Sequence, residues 1–152
     1  MTQLTTKLTP FLLLILVLLS FLSSQSLSAD DRTENIDVYL VIDKSLSMEE
    51  EISAVRNYIS DSIVEELLIT GDNLVVIVFY GNAEILFSGE ASAATKIDIQ
   101  TKLQEIRADG RFTDIGNALD ILRSAIPSTD PDGRRRYMLL ITDGIQEAPP
   151  ES

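Results

Sequence analysis

Three short segments carry side chains whose types and spacing can do chemistry together. The first is Asp43-Lys44-Ser45-Leu46-Ser47, a carboxylate followed by hydroxyls at the second and fourth positions after it. Alternate residues of an extended loop can turn their oxygens toward one point, and hard divalent cations are held by such oxygens. The same residues also have an ordinary structural use, because Ser47 followed by Glu50 reads as a capping box at a helix start. The second segment is Thr113-Asp114 and the third is Thr142-Asp143-Gly144. Thr113 can offer a further hydroxyl or cap the helix that follows it. Asp143, like Asp43, can approach a cation or receive backbone N–H groups. Asp109 and Asp114 flank the site and read as solvated loop carboxylates, with outer hydrogen bonds to the site as the alternative.

These segments must be positioned by regular elements, and the apolar pattern supplies them. Ile36 to Ile42 is a near-continuous apolar run rich in β-branched residues, as expected of a parallel strand buried on both faces. Asp43 therefore stands at the carboxyl end of a strand, the edge where open α/β sheets bind ligands. From Met48 to about Leu68, apolar residues at Ile52, Val55, Ile59, Ile63 and Leu67 form one helical stripe, with Gly71 beyond its end. Leu74 to Tyr80 is a second buried strand. The Gly81-Asn82 turn leads to a short third strand, Glu84 to Phe87, expected to pair antiparallel at a sheet edge. Helices follow over Thr95 to Arg107 and from Ile115 to Ile126, the latter stopped by Pro127. Tyr137 to Ile141 is the last buried strand, so Asp143 falls at the same sheet edge as Asp43. The order β-α-β-β-α-α-β predicts an α/β fold, a doubly wound open sheet that is mostly parallel with one antiparallel edge strand.

Composition narrows the chemistry. With 152 residues, 45% of them hydrophobic, the chain has room for one domain with a sizeable core. Acidic residues outnumber basic ones 24 to 12, and the net charge of −12 argues against nucleic acid and for cations or basic partners. The sequence contains no His and no Cys, which excludes zinc sites, His-based triads and cysteine nucleophiles. Residues 1–29 have the layout of a secretory signal peptide: Lys7, the apolar run Phe11 to Leu22, then small polar residues up to Ser28 and Ala29. The apolar run is too short for a spanning helix, so membrane contact is expected only through an uncleaved signal anchor. A secreted, periplasmic or cell-surface location in a bacterium follows, with 30–35 as a short linker and 148–152 as a tail.

Taken together, Asp43-x-Ser45-x-Ser47, Thr113 ahead of a helix, and an apolar strand ending in Thr142-Asp143-Gly144 resemble the von Willebrand factor type A domain. They resemble in particular its metal-ion-dependent adhesion site, over about Ile36 to Glu147. The resemblance implies that Ser45, Ser47 and Thr113 offer hydroxyls directly to a cation, with Asp43 and Asp143 close by, partly through water. Magnesium is the implied ion, and manganese or calcium can substitute. The implied function is a non-enzymatic binding module whose ion engages a carboxylate of a partner protein. A magnesium-dependent phosphohydrolase is the competing reading, weakened because Ser45 stands where a second carboxylate would serve as general acid. Arg111 and Phe112 depart from the small residues the family places before its threonine. The resemblance also implies further strands after the fourth, so domain 36–147 is expected to be incomplete at its C-terminus, a fragment, and a truncated remnant without independent function is the third reading.

Overall fold

The computed structural model describes residues 32–129 and 133–150. The expected signal peptide lies outside them. The described elements are strand β1 (Ile36–Asp43), a 3-10 turn (Leu46–Met48), helix α1 (Ile52–Tyr58) running on as a wider-wound π segment (Ile59–Leu67), and strands β2 (Asn73–Phe79) and β3 (Ala83–Glu90). Helices α2 (Ala93–Glu105) and α3 (Ile115–Ala125) and strand β4 (Arg135–Ile141) complete the order. The sheet runs β3-β2-β1-β4, with β1 parallel to both neighbours and β3 antiparallel to β2 at one edge. This is the mostly parallel, doubly wound α/β architecture that the apolar pattern predicts.

Alternation along β1 and β2 divides the core. Ile36, Val38, Leu40 and Ile42 pack with Leu74, Val76 and Val78 against Ile59, Ile63, Ile99 and Leu103 on one face. On the other, Tyr39 and Val41 pack with Val75, Ile77 and Phe79 against Ala118 and Leu122 of α3. Because both faces are covered, β1 is buried along its whole length.

Several boundaries differ from the pattern-based expectation. The first helix begins at Ile52 rather than Met48, and Ser45 and Glu51, which precede the 3-10 turn and α1, make no side-chain cap. Its last turns widen, as the Leu68 N–H donating to the Ile63 carbonyl at 3.0 Å shows. β3 runs from Ala83 to Glu90 because pairing with β2 extends through the polar Ser88-Gly89-Glu90, which have no strand propensity of their own. α2 starts two residues earlier than its apolar stripe, at a Ser92 capping box with Thr95.

The amino end of the sheet is tied down by a buried carboxylate. Asp72 accepts N–H groups from Ile36 and Ile69, both at 2.9 Å, and is paired by Arg32, whose Nη1 lies 2.8 Å away. Burial pushes the Asp72 pKa up, but Arg32 and the backbone donors outweigh it and hold the carboxyl at about 2. β4 contrasts with β1: Tyr137, Met138, Leu139 and Leu140 are 50%, 58%, 36% and 39% exposed. Of its apolar residues, Ile141 packs against the core.

Candidate metal centre

The register of β1 and β4 builds the site. Ile42 is paired with Ile141, so the next residues, Asp43 and Thr142, leave the sheet side by side. The Thr142 hydroxyl donates to Asp43 Oδ2 at 2.7 Å and accepts the Gly144 N–H at 3.0 Å. Asp43 Oδ1 accepts the Ser45 N–H at 2.8 Å. Gly144 has φ of 80°, which lets the chain turn sharply after β4 and bring its amide back to the threonine.

The hydroxyls of the first segment are joined. Ser45 Oγ and Ser47 Oγ are 3.1 Å apart and share one hydrogen bond. The nearby Ser47 hydroxyl, with the Ile145 N–H at 3.0 Å from Asp143 Oδ1, holds the Asp143 pKa below the usual carboxylate range. The Ser47 hydroxyl is turned to Ser45, and no capping-box bond from Ser47 occurs among the described residues.

The loop carrying Thr113 is sewn to the same place through its backbone. Leu46 N–H donates to the Gly110 carbonyl at 2.7 Å, and the Lys44 carbonyl accepts from Asp109 and Gly110, both at 3.1 Å. This approach leaves no room at Gly110, where a Cβ would stand 2.2 Å from Tyr80 Cβ. Thr113 exchanges two backbone hydrogen bonds with Glu147, each 2.9 Å. Asp43, Ser45 and Thr113 are buried, at 0%, 3% and 4% exposure. Three of the five expected residues, Asp43, Ser45 and Ser47, are therefore joined by hydrogen bonds, and Asp143 directly follows Thr142, which bonds Asp43. Thr113 is tied in by main-chain bonds on both sides.

The flanking residues sort differently from expectation. Asp114 is not a solvated loop carboxylate: it is buried, and its Oδ1 accepts the Asn117 N–H at 2.9 Å as the cap of α3. That leaves the Thr113 hydroxyl without a capping duty. Asp109 is exposed and takes Lys44 Nζ at 3.0 Å, while Lys44 also lies 5.0 Å from the Tyr80 ring. Phe112 packs over Gly81 beside Pro149, and the Arg111 guanidinium lies 5.5 Å from its ring. Leu46 and Ile145, next to site oxygens in sequence, are 53% and 60% exposed. Thr142 and Glu147 had no assigned role in the sequence reading. A hydroxyl one residue before Asp143 was the available signal for the first.

The donor set fits a hard divalent cation. It consists of oxygens only, neutral hydroxyls beside two carboxylates, and Asp43 is buried without a basic partner among the described residues. No cluster of three or more acidic, His or Cys side chains that could hold a metal occurs among the described residues, so the hydroxyls are essential to the set.

Residues 38–146 match the model of the von Willebrand factor type A domain. The chain belongs to this family. An uncharacterised protein of Treponema pallidum (strain Nichols) is 34% identical over 135 residues, which are 87% of this chain and 60% of that protein. The chain thus spans about 60% of the length of this curated relative. Proximal thread matrix protein 1 from the mussel byssus, solved with a zinc-occupied MIDAS motif, superposes with a TM-score of 0.61 at 20% identity, covering 76% of this chain and 33% of that one. The pilus adhesin SpaC from Lactobacillus rhamnosus GG gives a TM-score of 0.59 at 25% identity, over 76% of this chain and 16% of that one. Type A domains are generally interaction modules rather than enzymes, and the zinc-bearing relative places divalent metal binding within the family.

Proposed function

We propose that this chain is a secreted or envelope-associated, non-enzymatic module that binds a partner protein through a divalent cation. Ser45, Ser47 and Thr113 would hold the ion by their hydroxyls, with Asp43 and Asp143 beside it. Magnesium is the proposed ion, with manganese or calcium able to replace it. When bound, the ion offers a Lewis-acid position to a carboxylate of the partner. The observation that carries this reading is the convergence of the paired Ser45 and Ser47 hydroxyls with the buried Asp43, which Thr142 bonds from the residue just before Asp143. The adhesin and byssus relatives support an extracellular, adhesive role.

Asp43 is held by the Ser45 N–H and by the Thr142 hydroxyl from beyond β4, and Asp143 by the Ile145 N–H, which supports leaving the direct contacts to the hydroxyls. Neutral donors leave a cation electron-poor and receptive to an anionic partner. A magnesium titration followed by thermal melting tests the site. At ten times its dissociation constant, a ligand specific to the folded state stabilises it by roughly 1.4 kcal/mol. The melting temperature should rise in the parent chain and stay flat in Asp43→Ala. An unmoved parent would count against the metal site.

A further inference from the structure

We propose that Thr142 is a positioning residue that keeps the Asp43 carboxylate out of direct contact with the cation. The inference rests on the metal reading above and extends it to a residue outside the five proposed to surround the ion. Its basis is that both Asp43 oxygens already have donors: the Ser45 N–H at 2.8 Å on Oδ1 and the Thr142 hydroxyl at 2.7 Å on Oδ2. The direction of the second bond is fixed. A carboxylate cannot donate, and the threonine oxygen already accepts the Gly144 N–H at 3.0 Å. The Thr142 proton therefore has one destination.

This arrangement has a chemical consequence. A carboxylate bound directly would neutralise much of the ion's charge and compete with a partner's carboxylate. A carboxylate held back by two hydrogen bonds supplies its field at a distance and leaves the ion electrophilic. Thr142 can do this because parallel pairing of Ile42 with Ile141 sets it beside Asp43. The Gly144 turn, with φ of 80°, locks the hydroxyl in that pose.

The test uses manganese as the probe, on the whole chain, with the variants Thr142→Val and Thr142→Ser. Water-proton relaxation by bound manganese counts the exchanging waters on the ion. The valine variant, isosteric but without a donor, should free Asp43 Oδ2 to replace a water, lowering that count by about one. Acetate capture by the loaded protein should weaken roughly tenfold, the scale on which outer partners of a metal site act. The serine variant should restore both readouts, which a merely structural role for the methyl group would not do. Thr142→Ala gives the same readouts if the valine variant does not fold. Equal water counts and acetate affinities in the parent, valine or alanine, and serine proteins would overturn the assignment while leaving the metal site standing. Absence of manganese binding by the parent would remove both readings at once.

Discussion

Thr113 and Glu147 exchange two backbone hydrogen bonds of 2.9 Å, so the loop that brings the third hydroxyl is clamped by the segment after β4. The clamp holds Thr113 with no side-chain partner from that segment. A second tie lies one residue on, where the Gln146 side chain accepts the Ile115 N–H at 3.0 Å. Glu147→Pro removes one donor of the pair and should loosen Thr113 without touching the core. Magnesium affinity, read by calorimetry, should fall about tenfold, as when outer supports of metal sites are lost. The melting temperature without metal should change little. Glu147→Ala keeps the backbone donor and should bind like the parent.

The clasp at the opposite end of the sheet predicts an acid response. Asp72 has a folded pKa of about 2 against an ordinary 3.8, so folding favours its ionised form. Its stabilisation is whole above the ordinary value and is lost as pH falls toward about 2, a contribution of roughly 2 kcal/mol. Arg32→Ala should cost about 1–3 kcal/mol at neutral pH, because a buried carboxylate loses its charged partner. It should also raise the folded Asp72 pKa toward the ordinary value, so that the stability lost between the ordinary value and about pH 2 becomes smaller. Urea denaturation across a pH series measures both. An acid profile of Arg32→Ala that overlays the parent's would show that the backbone donors alone hold the carboxylate.

What the sequence made legible follows from how the elements are buried. β1 and β2 stand out as unbroken apolar runs because helices cover both faces, and the helical stripes give the layer order. The first helix starts at Ile52, later than the pattern after Ser47 suggests, because the Ser47 hydroxyl is paired with Ser45 rather than capping the helix. The polar end of β3 was invisible, since its strand character comes from β2 alone. At the site, the residue types and their order were readable, but what fixes them was not. The Thr142–Asp43 bond depends on inter-strand register, and the Thr113–Glu147 bridge is made by main-chain atoms that any residue carries.

β4 carries the same apolar signature as β1 yet stands at the sheet edge, and this sets up a prediction about association. Tyr137 and Leu139 share a face with Val38 and Leu40, and together with Ile63 and Leu67 they line an open groove of about 480 Å³. An exposed apolar edge strand pairs readily with other chains. The 152-residue chain should therefore self-associate in a concentration-dependent way, visible by sedimentation velocity. Leu140 is 39% exposed, so lysine can be placed there with its charge in water. Fully burying a leucine is worth about 1.5–3 kcal/mol, and the part still exposed here is worth about 1 kcal/mol, so Leu140→Lys should weaken association roughly fivefold to tenfold. Leu40→Lys, at a fully buried position of β1, should instead abolish folding. Association unaffected by Leu140→Lys would place the contact away from the Leu140 face of β4, and the same substitution at Leu139 would then test the groove on the opposite face.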